Sequence, residues 1–150
     1  MYRLTTYVKA PISTLSEAGL VATILILEDE VGVRDLFALL LTQDGYTVLE
    51  AGTVREAEQL SGSRRIDLLI ADLVLPGGKS GTDFAVGLIE CQPNVRVLFM
   101  SGWLVNREDD TDNIAKLPGR LYRILQKPFG IDELVRHVHI LLHNVKWRTA

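Results

Sequence analysis

Five short apolar runs punctuate this chain, and between them the apolar residues fall to a spacing of three and four. The runs are TILILE (Thr23–Glu28), YTVLEA (Tyr46–Ala51), IDLLIA (Ile66–Ala71), VRVLFM (Val95–Met100) and LYRILQ (Leu121–Gln126). They are mostly continuous rather than alternating, the pattern of strands covered on both faces. After the first run, Val33, Leu36, Phe37, Leu40 and Leu41 recur at helical spacing, and Gly45 suits the left-handed position just past a helix end. Thr53 and Glu56 have the spacing of a capping box at the start of a second helix. Phe84, Ala85, Leu88 and Ile89 mark a third helix that stops before Pro93, and a weak polar helix is predicted within Leu104 to Lys116. The last helix carries Ile131, Leu134, Val135, Val138 and Leu142 on one face. Residues 1–22 show no period and read as a tail or arm, and residues 146–150 as a short C-terminal tail.

A strand–helix alternation repeated five times over residues 23–145 predicts an α/β domain, a five-stranded parallel sheet wound on both faces. In such a sheet ligands bind beyond the carboxyl ends of the strands, where strand order reverses. The residues that follow each run are therefore the candidates for chemistry. Glu28, Asp29 and Glu30 follow the first, Asp72 the third, Ser101 the fourth and Lys127 the fifth. Carboxylates gathered this closely repel one another unless a cation lies among them. Hard oxygen ligands with room for water and phosphate oxygens suit Mg²⁺, and Lys127 supplies a compact positive charge.

The stretch DLVLPGGKSG (Asp72–Gly81) has the look of a phosphate-cradling loop, but position 73 is Leu where a P-loop needs Gly. A flavodoxin-type phosphate pocket also fits poorly, because the loop after the first strand offers acids. An aspartyl-nucleophile phosphatase would want a second Asp two residues after the first, and from Asp29 that position is Val31.

Composition narrows the classes further. The 150 residues fit one domain with a sizeable core, and 47% of them are apolar, which excludes a disordered chain. A net charge of −3, with both signs interspersed, gives no electrostatic grip on nucleic acid or an anionic membrane. The longest apolar runs are far short of a membrane span, and no secretory signal is expected. The single cysteine, Cys91, excludes an internal disulfide, fits a reducing cytoplasm, and is expected to be a small buried hydrophobe. His139 and His143, four apart, are expected to be surface or core-edge residues rather than a metal clamp. The acidic stretch REDDTD (Arg107–Asp112) reads equally as a solvated helix face or a patch read by a partner.

Taken together, Glu28-Asp29, Asp72, Ser101-Gly102 and Lys127-Pro128-Phe129, in this order and each at a strand end, resemble the receiver domain of two-component response regulators. LPGGKSG, FMSGW and LQKPF look most like receivers associated with hybrid histidine kinases. The resemblance implies a flavodoxin-like (βα)5 fold. It implies that Asp72 takes a phosphoryl group from a phosphohistidine on a histidine kinase or histidine phosphotransfer protein. It further implies Mg²⁺, replaceable by Mn²⁺, held by Asp29, Asp72 and the backbone carbonyl of Val74, with Glu28 acting through water. Ser101 and Lys127 would each contact a phosphoryl oxygen. A downstream partner or a second copy would use the face of the fourth helix, fifth strand and last helix. The chain would catalyse only its own phosphorylation and slow dephosphorylation. Two departures stand out. The aromatic expected three residues before the lysine is Ile124, with Tyr122 on the same strand face as its possible substitute, and the residues flanking the hydrolytic path are Val74 and Trp103. A scaffold of this fold that is never phosphorylated, a pseudo-receiver, is the alternative.

Overall fold

A computed structural model describes residues 21–76, 80–102 and 108–143 of the chain; the side chains of 108 and 109 are not among the described parts. Strands β1 (Thr23–Leu27), β2 (Thr47–Ala51), β3 (Leu68–Asp72), β4 (Arg96–Ser101) and β5 (Tyr122–Gln126) alternate with helices α1 (Val31–Gln43), α2 (Val54–Ser63), α3 (Gly81–Cys91), α4 (Glu108–Ala115) and α5 (Ile131–His143). All strand pairs are parallel and the order is β2-β1-β3-β4-β5. The order reverses between β1 and β3, the place where this class of sheet builds its binding crevice. The expected tail at residues 1–22 lies, up to residue 20, outside the described residues, as do residues 146–150.

The period-two geometry of a strand divides the core into two. Leu25, Leu27, Leu69, Ala71, Val97 and Phe99 face the helices α2, α3 and α4. Their neighbours Ile24, Ile26, Leu68, Ile70, Leu98 and Met100 face α1 and α5. Both faces of the central strands are thus apolar, which is why their sequences read as continuous runs. Burying one such side chain contributes about 1.5–3 kcal/mol, so the layers hold together without help from the polar edge.

Local signals decide the element ends. α1 closes with a Schellman pattern: Tyr46 N–H donates to Leu41 C=O (3.2 Å) and Gly45 N–H to Thr42 C=O (2.9 Å), with Gly45 at φ 89°. Thr53 caps α2 by accepting from Glu56 N–H (3.2 Å), whereas the Glu56 carboxylate reaches back to Gly52 N–H (2.7 Å), one residue earlier than in a capping box.

Three expectations are corrected. In α1 the inward strip is Arg34, Phe37, Ala38 and Leu41, spaced i, i+3, i+4, i+7, so Leu36 turns outward at 43% exposure and Leu40 is only half-buried. Arg34 bonds the Glu28 carbonyl and Phe37 meets the Phe129 ring at 6.0 Å, and these two contacts are consistent with that rotation. In α5 the buried strip is Leu134, Val138 and Leu141, leaving Ile131 exposed at the first turn. Cys91, at the last turn of α3, is exposed rather than buried.

The acidic first turns of α4 are only partly solvated. Asp110 is buried and accepts the Thr82 hydroxyl at 2.7 Å. Asn113 Nδ2 donates to Thr82 Oγ1 (3.2 Å) and to Asp83 Oδ1 (2.6 Å). Since the one Thr82 proton goes to Asp110, the Ser80 hydroxyl is the donor in the 2.6 Å Ser80–Thr82 contact. This network ties the start of α3 to α4. Thr82→Val keeps the side-chain shape but takes the hydroxyl donor from the buried Asp110 carboxylate and one of two acceptors from the Asn113 amide. Urea unfolding should show a loss of roughly 1–3 kcal/mol for Thr82→Val, with Thr82→Ser retaining most of the wild-type stability.

Candidate functional site

The sheet places four of the candidate residues at one edge. Leu27 pairs with Ala71, so the next residues, Glu28 and Asp72, emerge side by side across the point where strand order reverses. Ser101 closes β4 beside Gln126, and its carbonyl accepts from Lys127 N–H (2.7 Å), carrying the ladder one step past β5. The Lys127–Pro128 peptide bond is cis.

At the centre is the Asp72 carboxylate, with both oxygens engaged. Lys127 Nζ donates to Oδ2 at 2.6 Å, and the Val74 N–H donates to Oδ1 at 3.0 Å. The second bond makes an Asx turn that swings the chain off the sheet and leaves Val74 64% exposed. Helix α3 then returns directly onto the strand end. A Cβ on Gly81 would collide with the Asp72 carbonyl oxygen, so glycine is what permits this approach.

Glu28, Asp29 and Asp72 each bring a carboxylate oxygen to within 4.8 Å of the others, the only such group of potential metal ligands among the described residues. Glu28 is buried, Asp29 exposed, and Glu30 exposed at the head of α1. Glu28 Oε1 accepts the Glu30 N–H (3.1 Å), while Oε2 is buried with no hydrogen bond. A buried, unsatisfied carboxylate oxygen beside two more carboxylates is what a hard divalent cation would complete, so these residues fit Mg²⁺.

Burial and neighbouring charge together set the titration behaviour. Burial pushes the Glu28 carboxyl up to about 7; the Glu30 N–H opposes this, the Asp72 charge adds to it, Lys127 opposes it and Asp29 adds to it. For Lys127, burial pulls the ammonium down, but the hydrogen bond to Asp72 and the charges of Asp72, Glu28 and Asp29 outweigh it, and its pKa is raised.

Residues 24–139 match the family model of the response regulator receiver domain. The chain belongs to the response regulator receiver family of two-component systems. It is 35% identical over 127 residues to the KDP operon transcriptional regulatory protein KdpE of Escherichia coli, covering 85% of this chain and 54% of that protein. It is 31% identical over 122 residues to the phosphate regulon transcriptional regulatory protein PhoB of Pseudomonas aeruginosa, covering 81% and 52%. The chain thus spans about half the length of these relatives, both named as transcriptional regulatory proteins. A CheY-like receiver domain protein from Methanospirillum hungatei superposes with a TM-score of 0.72 at 20% identity, covering 83% of this chain and 96% of that one. The response regulator TrrA from Thermotoga maritima, solved in complex with Mg²⁺-BeF, gives 0.66 at 26% identity, covering 81% and 99%.

Other expected participants fall elsewhere. Tyr122 pairs with Val97, four positions below Ser101 along β4, about 13 Å at the rise of a parallel strand. Its ring packs on Phe99 (6.3 Å), so it is not placed to follow Ser101 inward as expected, and Ile124 is exposed beside it. The His139 and His143 rings meet edge-on at 5.5 Å and both lie against Tyr46, an aromatic packing at the core edge. Trp103, expected over the phosphoryl path, lies outside the described residues, as do Gly77, Gly78 and Lys79. No described helix is long and apolar enough to cross a membrane. Sequence reasoning missed Gly81 and Arg34; only the Gly at a helix start hinted at the first.

The raised Glu28 value has a definite sign. A cation at this pocket competes with the Glu28 proton, so Mg²⁺ affinity should be nearly flat above pH 7.5 and weaken about tenfold per unit below pH 6.5. In the metal-free protein, the stability linked to this group is present below about pH 4.5 and lost as pH rises through about 7. Calorimetric Mg²⁺ titration across pH should show this slope in wild type and a much flatter one in Glu28→Gln.

Proposed function

We propose that the chain is a phosphoacceptor domain in which Asp72 takes a phosphoryl group from a phosphohistidine on a histidine kinase or histidine phosphotransfer protein. The observation that carries this reading is the 2.6 Å contact of Lys127 with Asp72 inside the Glu28–Asp29–Asp72 cluster. An Asp72 oxygen forms the bond to phosphorus as the phosphorus–nitrogen bond to the donor imidazole breaks, and the electron pair stays on the imidazole. The two Asp72 contacts orient the carboxylate before attack, and positioning of this kind supplies much of the catalysis in phosphoryl transfer. Lys127 then pairs with a transferred oxygen, and the Ser101 hydroxyl donates to another. Mg²⁺, or Mn²⁺ in its place, would be held by Asp29, Asp72 and the Val74 carbonyl, with Glu28 behind them, and would neutralise charge on the phosphoryl oxygens. The domain turns over no other substrate and works in the cytoplasm.

The partner side of the proposal rests on the same edge. Val31, Val74 and Ile131 are exposed apolar residues at the starts of α1, the β3–α3 turn and α5. They offer contact area to the phosphodonor without adding charge. On the other flank, β5 is an edge strand with Arg123, Ile124 and Gln126 exposed, and with α4 and α5 it forms the face proposed for a downstream partner or a second copy.

Acetyl phosphate with Mg²⁺, read by intact mass, tests the assignment. Wild type should gain one phosphoryl group and Asp72→Asn none; uptake by neither form would instead support the pseudo-receiver reading. The phosphoryl group should also persist. Val74 offers no side-chain hydrogen bond to orient an attacking water, and a polar group that positions or activates water is typically worth ~10²-fold. Val74→Asn should therefore shorten the phosphoryl lifetime, measured as its loss from purified protein after the donor is removed.

A further inference from the structure

Every polar group of Glu28 but one is fixed by the protein. Its N–H donates to the Ala51 carbonyl (3.0 Å), and its Oε1 accepts from Glu30 N–H (3.1 Å). Its carbonyl lies just past the end of β1 and accepts from Arg34 Nη1 at 2.8 Å. Only Oε2 is left, and it is buried beside Asp29 and Asp72. The carbonyl in question belongs to the peptide that links Glu28 to Asp29, so whatever holds it sets the plane from which the Asp29 side chain departs.

Arg34 is itself held. Its side chain is only 18% exposed, and Nε lies 3.9 Å from Glu50 Oε1 at the end of β2. The guanidinium lies over Gly52, where a Cβ would come within 2.7 Å of Nη1 and 3.5 Å of Cζ. Glycine at 52 therefore leaves the slot through which Arg34 reaches Glu28. The planar fork is suited to contacting a carboxylate and a carbonyl from one rigid group.

We infer that Arg34 is a positioning residue for the metal pocket: by holding the Glu28–Asp29 peptide it presents both carboxylates in the arrangement that binds a divalent cation. The inference rests on the reading of Glu28, Asp29 and Asp72 as the Mg²⁺ site. It also makes a prediction opposite in sign to simple electrostatics. A cation near the pocket repels Mg²⁺, so if Arg34 acted only through charge, removing it would tighten binding. If Arg34 positions the ligands, removing it should weaken binding by about tenfold or more, the effect typical of losing a group that orients metal ligands.

The experiment is calorimetric titration of the full, unphosphorylated chain with Mg²⁺, comparing wild type, Arg34→Met and Gly52→Ala. Gly52→Ala displaces the guanidinium without changing any charge. Weaker Mg²⁺ binding in both variants supports the inference. Binding by Arg34→Met equal to or tighter than wild type overturns it, as does weakening that Gly52→Ala does not share. Should Arg34→Met fail to give a cooperative melt, Gly52→Ala alone decides: several-fold weaker binding supports positioning, and wild-type affinity overturns it. A wild type that takes up no Mg²⁺ overturns the reading of the pocket itself, and this inference with it.

Discussion

Three carboxylates share a space in which their oxygens come within 4.8 Å of one another, and one ammonium, Lys127, reaches into it at 2.6 Å from Asp72. Like charges at that separation in a partly buried place oppose folding unless something offsets them. Lys127 offsets part of the repulsion, while burial first, and the charges of Asp72 and Asp29 after it, displace the Glu28 carboxyl to about 7. The pocket is thus a site built to accept positive charge, and the surrounding structure serves to hold it in that condition.

It can be held there because the core does not depend on it. The sheet buries apolar residues on both faces along β1, β3 and β4, and these layers supply stability at a distance from the carboxyl edge. The edge is then free to carry groups that a fold would otherwise avoid, including a buried carboxylate oxygen with no hydrogen bond. Backbone ladders run right up to the functional residues: Leu73 N–H to the Met100 carbonyl, and Lys127 N–H to the Ser101 carbonyl. Each chemical side chain therefore begins at the last rigid point of its strand.

The turn after Asp72 links this edge to the helices beyond it. Val74 bonds back to Asp72, Gly81 lets α3 close onto the Asp72 carbonyl, and the next residue of α3, Thr82, is the hub of the buried network reaching α4 through Asp110 and Asn113. Residues that contact the Asp72 backbone and residues that hold α4 are thus neighbours in sequence and in space. A change at Asp72 has a short packed path to α4.

The strands and their order of chemistry were legible because continuous apolar runs have few other uses in a chain of this size, and an acid, hydroxyl or lysine directly after such a run must emerge at one sheet edge. Glu28, Asp29, Asp72, Ser101 and Lys127 follow from that alone. The rotation of α1 did not, since Val33, Leu36, Phe37, Leu39, Leu40 and Leu41 allow more than one inward strip, and the strip adopted is the one that also brings Arg34 to Glu28. Nor did the burial of Asp110, whose partners Thr82 and, through it, Asn113 stand 28 and 3 residues away along the chain. Tyr122 looked able to replace an aromatic at 124 because both share a strand face, but strand register sets it level with Val97 rather than Ser101. Sequence determines periodicity and what stands at each strand end; which helix face turns inward, and which polar groups meet across helices, depends on contacts between residues far apart in the chain.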